Sequence, residues 1–287
     1  MISVVIPALN EKDAIADTIS GIRSALDGAG LQPYEIIVVD DGSSDGTGDR
    51  ARAAGAKTLT HPHNVGYGRS LKDGIAAACY DLICITDADG SYPIERIPEL
   101  IEDYQRGFDM VVGARTGKHY RESIIKSPLR WILKQVVQYT ASRKIPDINS
   151  GLRVFSKSTS TKYFSHVSDT FSFTTSLTLA YVMNNKFVKY RQIEYHERIG
   201  KSKVSLLRDS LRTIQYVLEA ATYYNPMRMF VFFSMVCIII AIFSFVGGVL
   251  WQVTSAFFLG VGAILLAVLV CAMGLLAVLL KQIMNQT

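Results

Sequence analysis

Residues 229–287 almost lack charge, since Lys281 is the only charged side chain among them. Two apolar runs, residues 230–250 and 257–280, fill this stretch and are separated by an uncharged turn at 251–256. Each run has the roughly 20 apolar residues that cross a hydrocarbon core about 30 Å thick. The sequence therefore predicts a hairpin of two transmembrane helices and does not fit a wholly soluble protein.

The sequence also predicts no cleaved signal peptide, because Met1 leads straight into strand-like residues 2–6 without a basic region and an apolar core. Membrane insertion is therefore expected from the C-terminal hairpin. Arg228 precedes the first apolar run and Lys281 follows the second, whereas the turn between them has no Lys or Arg. The positive-inside rule then predicts an integral membrane protein with both ends of the hairpin, and the N-terminal region, in the cytoplasm.

The chain also has few cysteines and a small net charge. The four cysteines show no C-x-x-C spacing and lie in apolar contexts, at Cys79, Cys84, Cys237 and Cys271. They are interpreted as small buried hydrophobic residues, which argues against disulfides and cysteine chemistry. The net charge is only +5, no basic stripe or stacking motif is present, and no G-x-G-x-x-G follows the first strand. A nucleic-acid partner and a dinucleotide-dependent oxidoreductase are therefore disfavoured.

The first 115 residues alternate between apolar runs typical of strands and patterns typical of helices. The predicted strands are residues 2–7, 34–39, 81–86 and 109–113, and the predicted helices are residues 11–26, 44–54, 68–78 and 94–106. This order predicts an α/β fold, with a mostly parallel sheet covered by helices on both faces. The predicted domains are an enzyme domain at 1–203, an amphipathic juxtamembrane helix at 204–228 and the hairpin at 229–287.

Polar clusters follow four of these strands, at the carboxyl ends where such sheets bind ligands. The clusters are Asn10 with Glu11, residues 40–43 (DDGS), residues 87–89 (DAD) and residues 113–115 (GAR). The second cluster is equally consistent with a strand-to-helix turn and a helix N-cap. Asp87 and Asp89 are two residues apart, so in an extended segment their carboxylates point the same way and would repel each other without a cation. They therefore predict a site for one hard cation, which would in turn hold a diphosphate.

The clusters belong to a longer ordered set of motifs. In chain order these are VVIP at 4–7 followed by Asn10 and Glu11, VVDDGS at 38–43, HNVGYG at 63–68, DAD at 87–89 and GAR at 113–115. This set resembles the motifs of family 2 glycosyltransferases, which have a GT-A fold. Two later motifs, DINSGLR at 147–153 and RIGKSK at 198–203, are similar to those of the polyprenyl-phosphate glycosyltransferases, the group of dolichyl-phosphate mannose synthase. The resemblance covers about residues 2–204, and members of that group also carry a two-span C-terminal anchor.

The resemblance implies transfer of a sugar from a UDP- or GDP-sugar to a polyprenyl phosphate at the cytoplasmic membrane face, with inversion and a divalent metal ion. It assigns the nucleotide-sugar pocket to Pro7, Asn10, Glu11, Asp40, Asp41, Gly68, Lys72, Asp87, Ala88 and Asp89. It places Mg²⁺ or Mn²⁺ on Asp87 and Asp89, and donor or acceptor phosphates on Arg115, Arg153, Arg198 and Lys203. Arginine offers a planar fork to phosphate oxygens, although Arg153 is equally consistent with a structural residue at a strand edge. The bilayer is a further partner, and a homo-oligomer is left open.

The implied catalytic residues are Asp147, Asp89 and Arg115. A phosphate monoester has a second pKa of about 6, so the acceptor needs no strong general base. Asp147 is therefore interpreted as a base or an orienting group, or alternatively as a loop cap for Ser150. The chain departs from the family pattern at Ser91, where many members have Gln, and at residues 171–176, which lack the acidic residue that is usual there. These departures predict a donor or lipid preference that differs from the mannose enzymes.

Two segments are candidates for contact with the membrane surface. Residues 204–224 repeat apolar residues at helical spacing, with charged residues elsewhere around the helix. Residues 118–144 interleave basic and apolar side chains in a way that suits anionic headgroups. Both patterns are also consistent with ordinary helices that face the core.

Two other functions share part of the pattern. A processive polysaccharide synthase shares the early motifs, but such enzymes also have a Q-x-x-R-W pattern near the acceptor channel. Here Arg130 and Trp131 are preceded by Ser127 where Gln is needed, and two spans do not enclose a polymer pore. A membrane-tethered protein that binds nucleotide sugars without catalysis is the second alternative, because a fold does not guarantee an activity. The intact Asp87 and Asp89 pair argues against it.

Overall fold

The computed structural model describes residues 1–117, 143–197 and 225–284, together with positions 135, 138, 139, 215, 218, 219, 222 and 223. The chain forms two compact units, Met1–Val217 and Leu218–Thr287. Four of the sequence predictions fall on residues outside the described part of the chain. These are Arg198, Lys203, most of the juxtamembrane helix at 204–228 and most of the basic segment at 118–144.

The first unit is built on a seven-stranded sheet. Its strands are β1 (Ile2–Ala8), β2 (Tyr34–Asp40), β3 (Lys57–Thr60), β4 (Leu82–Ile85), β5 (Met110–Thr116), β6 (Arg153–Ser156) and β7 (Val188–Glu194). The strand order is β3-β2-β1-β4-β6-β5-β7. β6 is antiparallel to both neighbours, and all other pairs are parallel. The prediction of a mostly parallel sheet is therefore confirmed, while β3, β6 and β7 are additional strands that the sequence analysis did not identify.

Helices cover both faces of this sheet. They are α1 (Ile15–Gly28), α2 (Thr47–Ala53), α3 (Tyr67–Ala77), α4 (Ile97–Gln105), α5 (Lys157–Ser160) and α6 (Phe173–Met183), with 3₁₀ turns at Ile94–Arg96 and Thr161–His166. Alternate side chains of β1 belong to two separate hydrophobic cores, because successive side chains of a strand point to opposite faces of the sheet. Val4 and Ile6 pack with the apolar residues of α1 and α4, whereas Val5 packs with those of α3 and α6.

Two helices begin three or four residues later than the sequence predicts. Helix α1 begins at Ile15 and not at residue 11, since Asn10 adopts a left-handed conformation with φ of 51° and turns the chain away from β1. Helix α2 begins at Thr47 and not at residue 44. The carboxylate of Asp45 accepts the Thr47 N–H at 3.0 Å, which holds the preceding residues in a turn. The residues released from both helices become part of the loops at the sheet edge.

The second unit contains α7 (Pro226–Trp251) and α8 (Thr254–Met284). Both are long and apolar enough to cross a membrane, with mean hydropathies of 2.8 for Pro226–Trp251 and 3.0 for Thr254–Ile283. The prediction of two long apolar C-terminal helices is confirmed. The two helices pack closely at small residues, which let their backbones approach each other. At one such point the Ser234 hydroxyl of α7 donates to the Ala267 carbonyl of α8 at 2.8 Å. Large apolar side chains elsewhere on both helices are exposed.

Candidate active site

The loops after β1 and β2 are joined beyond the carboxyl ends of the two strands. The Asn10 N–H donates to Ser43 Oγ at 2.9 Å, and the Ser44 N–H donates to Asn10 Oδ1 at 2.8 Å. The Glu11 N–H donates to Thr47 Oγ1 at 2.9 Å, so the second loop is held at the start of α2. The structure therefore brings together the first two polar clusters, as the strand-end argument predicts. Pro7, the remaining member of the first motif, is buried within β1.

Asp40 and Asp41 are both buried, but their carboxylates contact different parts of the protein. Asp40 ends β2, and its Oδ1 accepts the Ser43 N–H at 2.9 Å. Gly48 lies against the other carboxylate oxygen of Asp40 so closely that a Cβ there would collide with it. The Asp40 carboxylate is thus held at the end of the sheet, where the family resemblance places the nucleotide-sugar pocket.

The carboxylate of Asp41 shapes the loop that leads into α3. It accepts the Val65 and Gly66 N–H groups, each at 2.9 Å, and its Oδ1 lies 2.8 Å from His61 Nδ1. Backbone donors to a carboxylate fix a loop strongly, because charged acceptors make stronger hydrogen bonds than neutral ones. The prediction assigned Asp41 to the nucleotide-sugar pocket, whereas its contacts in the structure support the Gly66 turn.

Asp87 and Asp89 follow β4, and each carboxylate is held by a neighbouring hydroxyl. Tyr67 Oη donates to Asp87 Oδ1 at 2.8 Å. The N–H and hydroxyl of Ser91 both donate to Asp89 Oδ1, the N–H at 3.0 Å. Ser91, the residue that replaces the usual Gln, therefore fixes the orientation of Asp89, one of the two predicted metal ligands. Gly151 leaves space for the Asp87 carboxylate, since a Cβ at this position would lie 2.8 Å from both of its oxygens.

The donor set at this point fits Mg²⁺ or Mn²⁺. Carboxylate oxygens are hard ligands, and Mg²⁺ commonly takes one or two carboxylates together with phosphate oxygens and water. Within the described ranges there is no group of three or more His, Cys, Asp and Glu side chains that could hold a metal ion alone. A pair of carboxylates with further ligands from a diphosphate is consistent with that finding, and Asp87 and Asp89 would be the protein's contribution.

Asp147 forms a two-pronged ion pair with Arg115. The Arg115 Nε lies 2.8 Å from Asp147 Oδ2, and Nη2 lies 3.0 Å from Oδ1. The Arg115 backbone N–H also donates to Oδ2, at 3.1 Å. Asp147 is 3% exposed, and the Arg115 side chain 16%, so the pair is largely withdrawn from water. The Arg115 guanidinium lies 5.3 Å from the ring centre of Tyr195, which supports it from one side.

The surroundings of Asp147 favour one of its predicted roles. Burial raises the pKa of its carboxyl, but the Arg115 charge and hydrogen bonds from Arg115 and Asn149 outweigh burial, so that the pKa is lowered. A carboxylate with a lowered pKa is a weak proton acceptor, which favours the orienting role over the base. The cap of Ser150 is not observed, because Asp147 accepts the Asn149 N–H at 3.2 Å while the Ser150 hydroxyl donates to the Gly113 carbonyl.

Arg153 lies inside the protein and not at a strand edge or a phosphate site. It begins β6, which lies between β4 and β5, and it is fully buried. Its guanidinium donates to the carbonyls of Ile148, Ser150 and Thr174 and to the hydroxyl of Thr178, at 2.6–2.9 Å. These bonds tie the loop that carries Asp147 to helix α6. The hydrogen bonds favour the structural alternative, and the assignment of Arg153 to phosphate binding is corrected accordingly.

Lys72 and Gly68 attach α3 to the segment that precedes α6. The Lys72 ammonium donates to the carbonyls of Phe164 and Val167, and it lies 2.6 Å from Asp169 Oδ1. A Cβ on Gly68 would collide with the carbonyl of Ser168. The sequence predicted both residues in the nucleotide-sugar pocket, whereas these contacts hold α3 in place. Ala88, between the two metal-site aspartates, is buried, and its carbonyl accepts the Thr18 hydroxyl at 3.1 Å.

Aromatic residues that the sequence analysis did not single out connect the two halves of the site. Tyr92 Oη accepts the Gly151 N–H at 2.6 Å, and its ring contacts that of Tyr195 edge-on, with 5.3 Å between centres. Since Gly151 touches Asp87 and Tyr195 supports Arg115, a continuous chain of contacts leads from the predicted metal site to the ion pair. Tyr67 was within a quoted motif, but only the fold reveals that its hydroxyl reaches Asp87.

Residues 3–164 match the family described as glycosyl transferase family 2. Among curated proteins, the chain is 28% identical to the undecaprenyl-phosphate 4-deoxy-4-formamido-L-arabinose transferase of Klebsiella pneumoniae (strain 342), over 87% of this chain and 75% of that protein. It is 29% identical to the low-salt glycan biosynthesis hexosyltransferase Agl6 of Haloferax volcanii, over 78% of this chain and 54% of the relative.

Solved structures support the same fold. Glucosyl-3-phosphoglycerate synthase from Mycobacterium tuberculosis, in complex with Mn²⁺, UDP and glucosyl-3-phosphoglycerate, superposes with a TM-score of 0.64 at 23% identity, over 77% of this chain and 80% of that one. A second complex of that synthase contains Mg²⁺ and UDP. The sheet, the strand-end carboxylates and these matches define a glycosyltransferase with a GT-A fold. The chain belongs to glycosyl transferase family 2.

Proposed function

We propose that this glycosyltransferase transfers a sugar from a nucleoside diphosphate sugar to a polyprenyl phosphate at a membrane surface, with inversion at the anomeric carbon. One observation carries the proposal: the contact chain from Asp87 through Gly151, Tyr92 and Tyr195 to Arg115. It joins a carboxylate suited to a diphosphate-bound cation to a guanidinium suited to a phosphate. A donor diphosphate and a phosphate acceptor therefore have complementary groups within one site.

The acceptor assignment also draws on the rest of the chain. Two C-terminal helices that are long and apolar enough to span a membrane provide a reason for a lipid acceptor. The curated relative from Klebsiella pneumoniae is named for transfer to undecaprenyl phosphate. We further propose that the helices anchor the protein with its first unit in the cytoplasm, since Arg228 and Lys281 flank the spans and the turn between them has no Lys or Arg.

The donor half of the site is proposed to comprise the loops after β1, β2 and β4. Pro7, Asn10, Glu11 and Asp40 would line the nucleotide, with Asp87 and Asp89 holding Mg²⁺ or Mn²⁺ on its diphosphate. That ion would supply positive charge where the leaving group develops negative charge. UDP and GDP sugars both remain candidates for the donor.

The residues of the acceptor half need not remove a proton. An oxygen of the acceptor phosphate forms the new bond to the anomeric carbon while the bond from that carbon to the nucleoside diphosphate breaks on the opposite side. Because the phosphate is largely dianionic at neutral pH, with a second pKa of about 6, it is already a nucleophile. Arg115 would receive it, and Asp147 would hold the Arg115 guanidinium in the required direction. Arg198 and Lys203, outside the described residues, stay as predicted phosphate ligands.

The test uses the full chain in detergent micelles or nanodiscs. Labelled UDP- and GDP-sugars are supplied with Mn²⁺ and undecaprenyl phosphate, and label is counted in the organic phase. The expected result is lipid-linked sugar that is lost with excess chelator and in Asp89→Ala. A parallel reaction with 3-phosphoglycerate tests a soluble phosphate acceptor. Label found only on the soluble acceptor, or equal product with chelator, would overturn the proposal.

A further inference from the structure

Tyr67 connects helix α3 to the predicted metal site. It is the first residue of α3, and its hydroxyl donates to Asp87 Oδ1 at 2.8 Å. The carboxylate of Asp87 is also closely confined by Gly151, where a Cβ would lie 2.8 Å from both of its oxygens. The hydroxyl and the glycine backbone together restrict the rotation of this carboxylate.

The position of Tyr67 is itself fixed by the surrounding protein. Its ring packs against that of Phe171, with 5.8 Å between centres and 49° between planes. The start of α3 is held from both sides, since the Arg69 N–H donates to the Asp169 carbonyl at 2.8 Å and the Ser70 hydroxyl donates to the Gly66 carbonyl at 3.1 Å. The hydroxyl therefore reaches Asp87 from a preset position.

Asp89 offers an instructive comparison. Its Oδ1 receives two hydrogen bonds from Ser91, two residues further along the same loop. Tyr67 performs the equivalent task for Asp87 from a different element, 20 residues away in sequence. Groups that donate to a metal-ligating carboxylate orient it and are commonly worth about 10- to 100-fold in metal affinity.

We propose that Tyr67 is a positioning residue whose hydroxyl holds the Asp87 carboxylate in the orientation that binds the divalent cation. This inference rests on the proposed function, because it takes Asp87 as a ligand of the ion. Tyr67 acts through Asp87 and needs no contact with the sugar or the lipid. Its removal should therefore affect metal affinity first and lipid acceptor KM little.

The test compares Tyr67→Phe with Tyr181→Phe in the full chain in detergent micelles. Both substitutions remove one phenolic oxygen from a tyrosine of the same fold. The Tyr181 hydroxyl is buried without a hydrogen-bond partner in the described part of the chain, which makes it a matched control. Bound Mn²⁺ is measured by electron paramagnetic resonance, with UDP and, separately, with GDP. The expected result is about 10- to 100-fold weaker Mn²⁺ binding for Tyr67→Phe and unchanged binding for Tyr181→Phe.

Asp87→Asn separates failure of this inference from failure of the proposed function. If Asp87→Asn binds Mn²⁺ as the unaltered protein does, Asp87 is not a ligand and the metal assignment itself is wrong. If Asp87→Asn loses Mn²⁺ and Tyr67→Phe retains it, only the role of Tyr67 is refuted. Thermal unfolding without metal completes the set: a lower melting temperature for Tyr67→Phe with unchanged Mn²⁺ affinity per folded molecule would mean that the hydroxyl serves the fold alone, which also refutes the inference.

Discussion

Replacement of Asp147 by Asn tests whether this carboxylate acts by holding Arg115. An amide keeps the size of the side chain, but it removes the charge and replaces one acceptor oxygen by an NH2 group, which faces a guanidinium that can only donate. The two-pronged contact at 2.8 and 3.0 Å is therefore lost at one prong at least. A hydrogen bond to a charged group contributes about 1.5–3 kcal/mol. If the whole of it supports the transition state, kcat falls about 10- to 150-fold.

The assay is transfer of labelled sugar to undecaprenyl phosphate, with donor binding measured in parallel. We expect kcat to fall and the affinity for the nucleotide to stay near that of the unaltered protein, because the pair is proposed to belong to the acceptor half of the site. Asp103→Asn is the matched control. Asp103 is also a fully buried, ion-paired aspartate, bound by Lys189 and Arg191 on β7, and it is outside the contact chain of the site. This control should lower stability and leave kcat per folded molecule unchanged.

A double-mutant cycle with Arg115→Gln gives the decisive result. If Asp147 acts only through Arg115, its replacement costs little once the guanidinium is gone, and the effects of the two substitutions on kcat are far from additive. Additive effects would show that the residues act independently. Near-normal turnover in Asp147→Asn, or an equal loss in Asp103→Asn, would refute the reasoning as well.

Three further predictions concern single residues. Gly151→Ala should weaken Mn²⁺ binding in the paramagnetic resonance assay, because the new Cβ would lie 2.8 Å from the Asp87 oxygens; unchanged binding would contradict it. Arg153→Met should cost about 3–5 kcal/mol in denaturant unfolding, since buried carbonyls lose their donors, and a loss below about 1 kcal/mol would be inconsistent with this. Hydrogen bonds from Arg191 and Lys189 outweigh burial and lower the pKa of Asp103 to about 2, so its stabilisation is full above about pH 4 and disappears as pH falls toward 2. Asp103→Asn should flatten that part of the stability curve in acid unfolding experiments, and an unchanged curve would argue against it.

The sequence identified four of the strands from their apolar pattern. Strands β1, β2, β4 and β5 are compact apolar runs, each near a helix that covers it, so local pattern is sufficient. β6 begins with Arg153, and its antiparallel place between β4 and β5 depends on partners about 40–75 residues earlier in the chain. β7 alternates with Lys189 and Arg191, which read as solvent-facing but bind Asp103 on helix α4. Both strands depend on pairing with residues far away in the chain, and hydrophobic periodicity does not reveal such pairing.

The candidate site divides in the same way. The carboxylates at the strand ends follow from topology, since parallel strands present their carboxyl ends at one edge. What each carboxylate binds does not follow, because a motif does not reveal which donors the fold brings near. Asp41 turned toward backbone N–H groups, and Asp147 toward Arg115, 32 residues earlier. The buried guanidinium of Arg153 has the residue type of a phosphate ligand, and only its four oxygen partners show that it is architectural.

The antiparallel direction of β6 also constrains how this family can diversify. β5 leaves the sheet at Thr116 and β6 re-enters it at Arg153, and the pairing of Val112 with Arg153 places exit and return at the same edge. The intervening stretch is thus an insert with both attachment points beside the reaction centre. Its last part is tied to the site, since Asp147 binds Arg115 and Gly151 lies against Asp87, and the remainder can vary without any alteration to β1, β2 and β4. On the proposed function, variation in that remainder would alter the choice of acceptor and leave the donor half of the site unchanged.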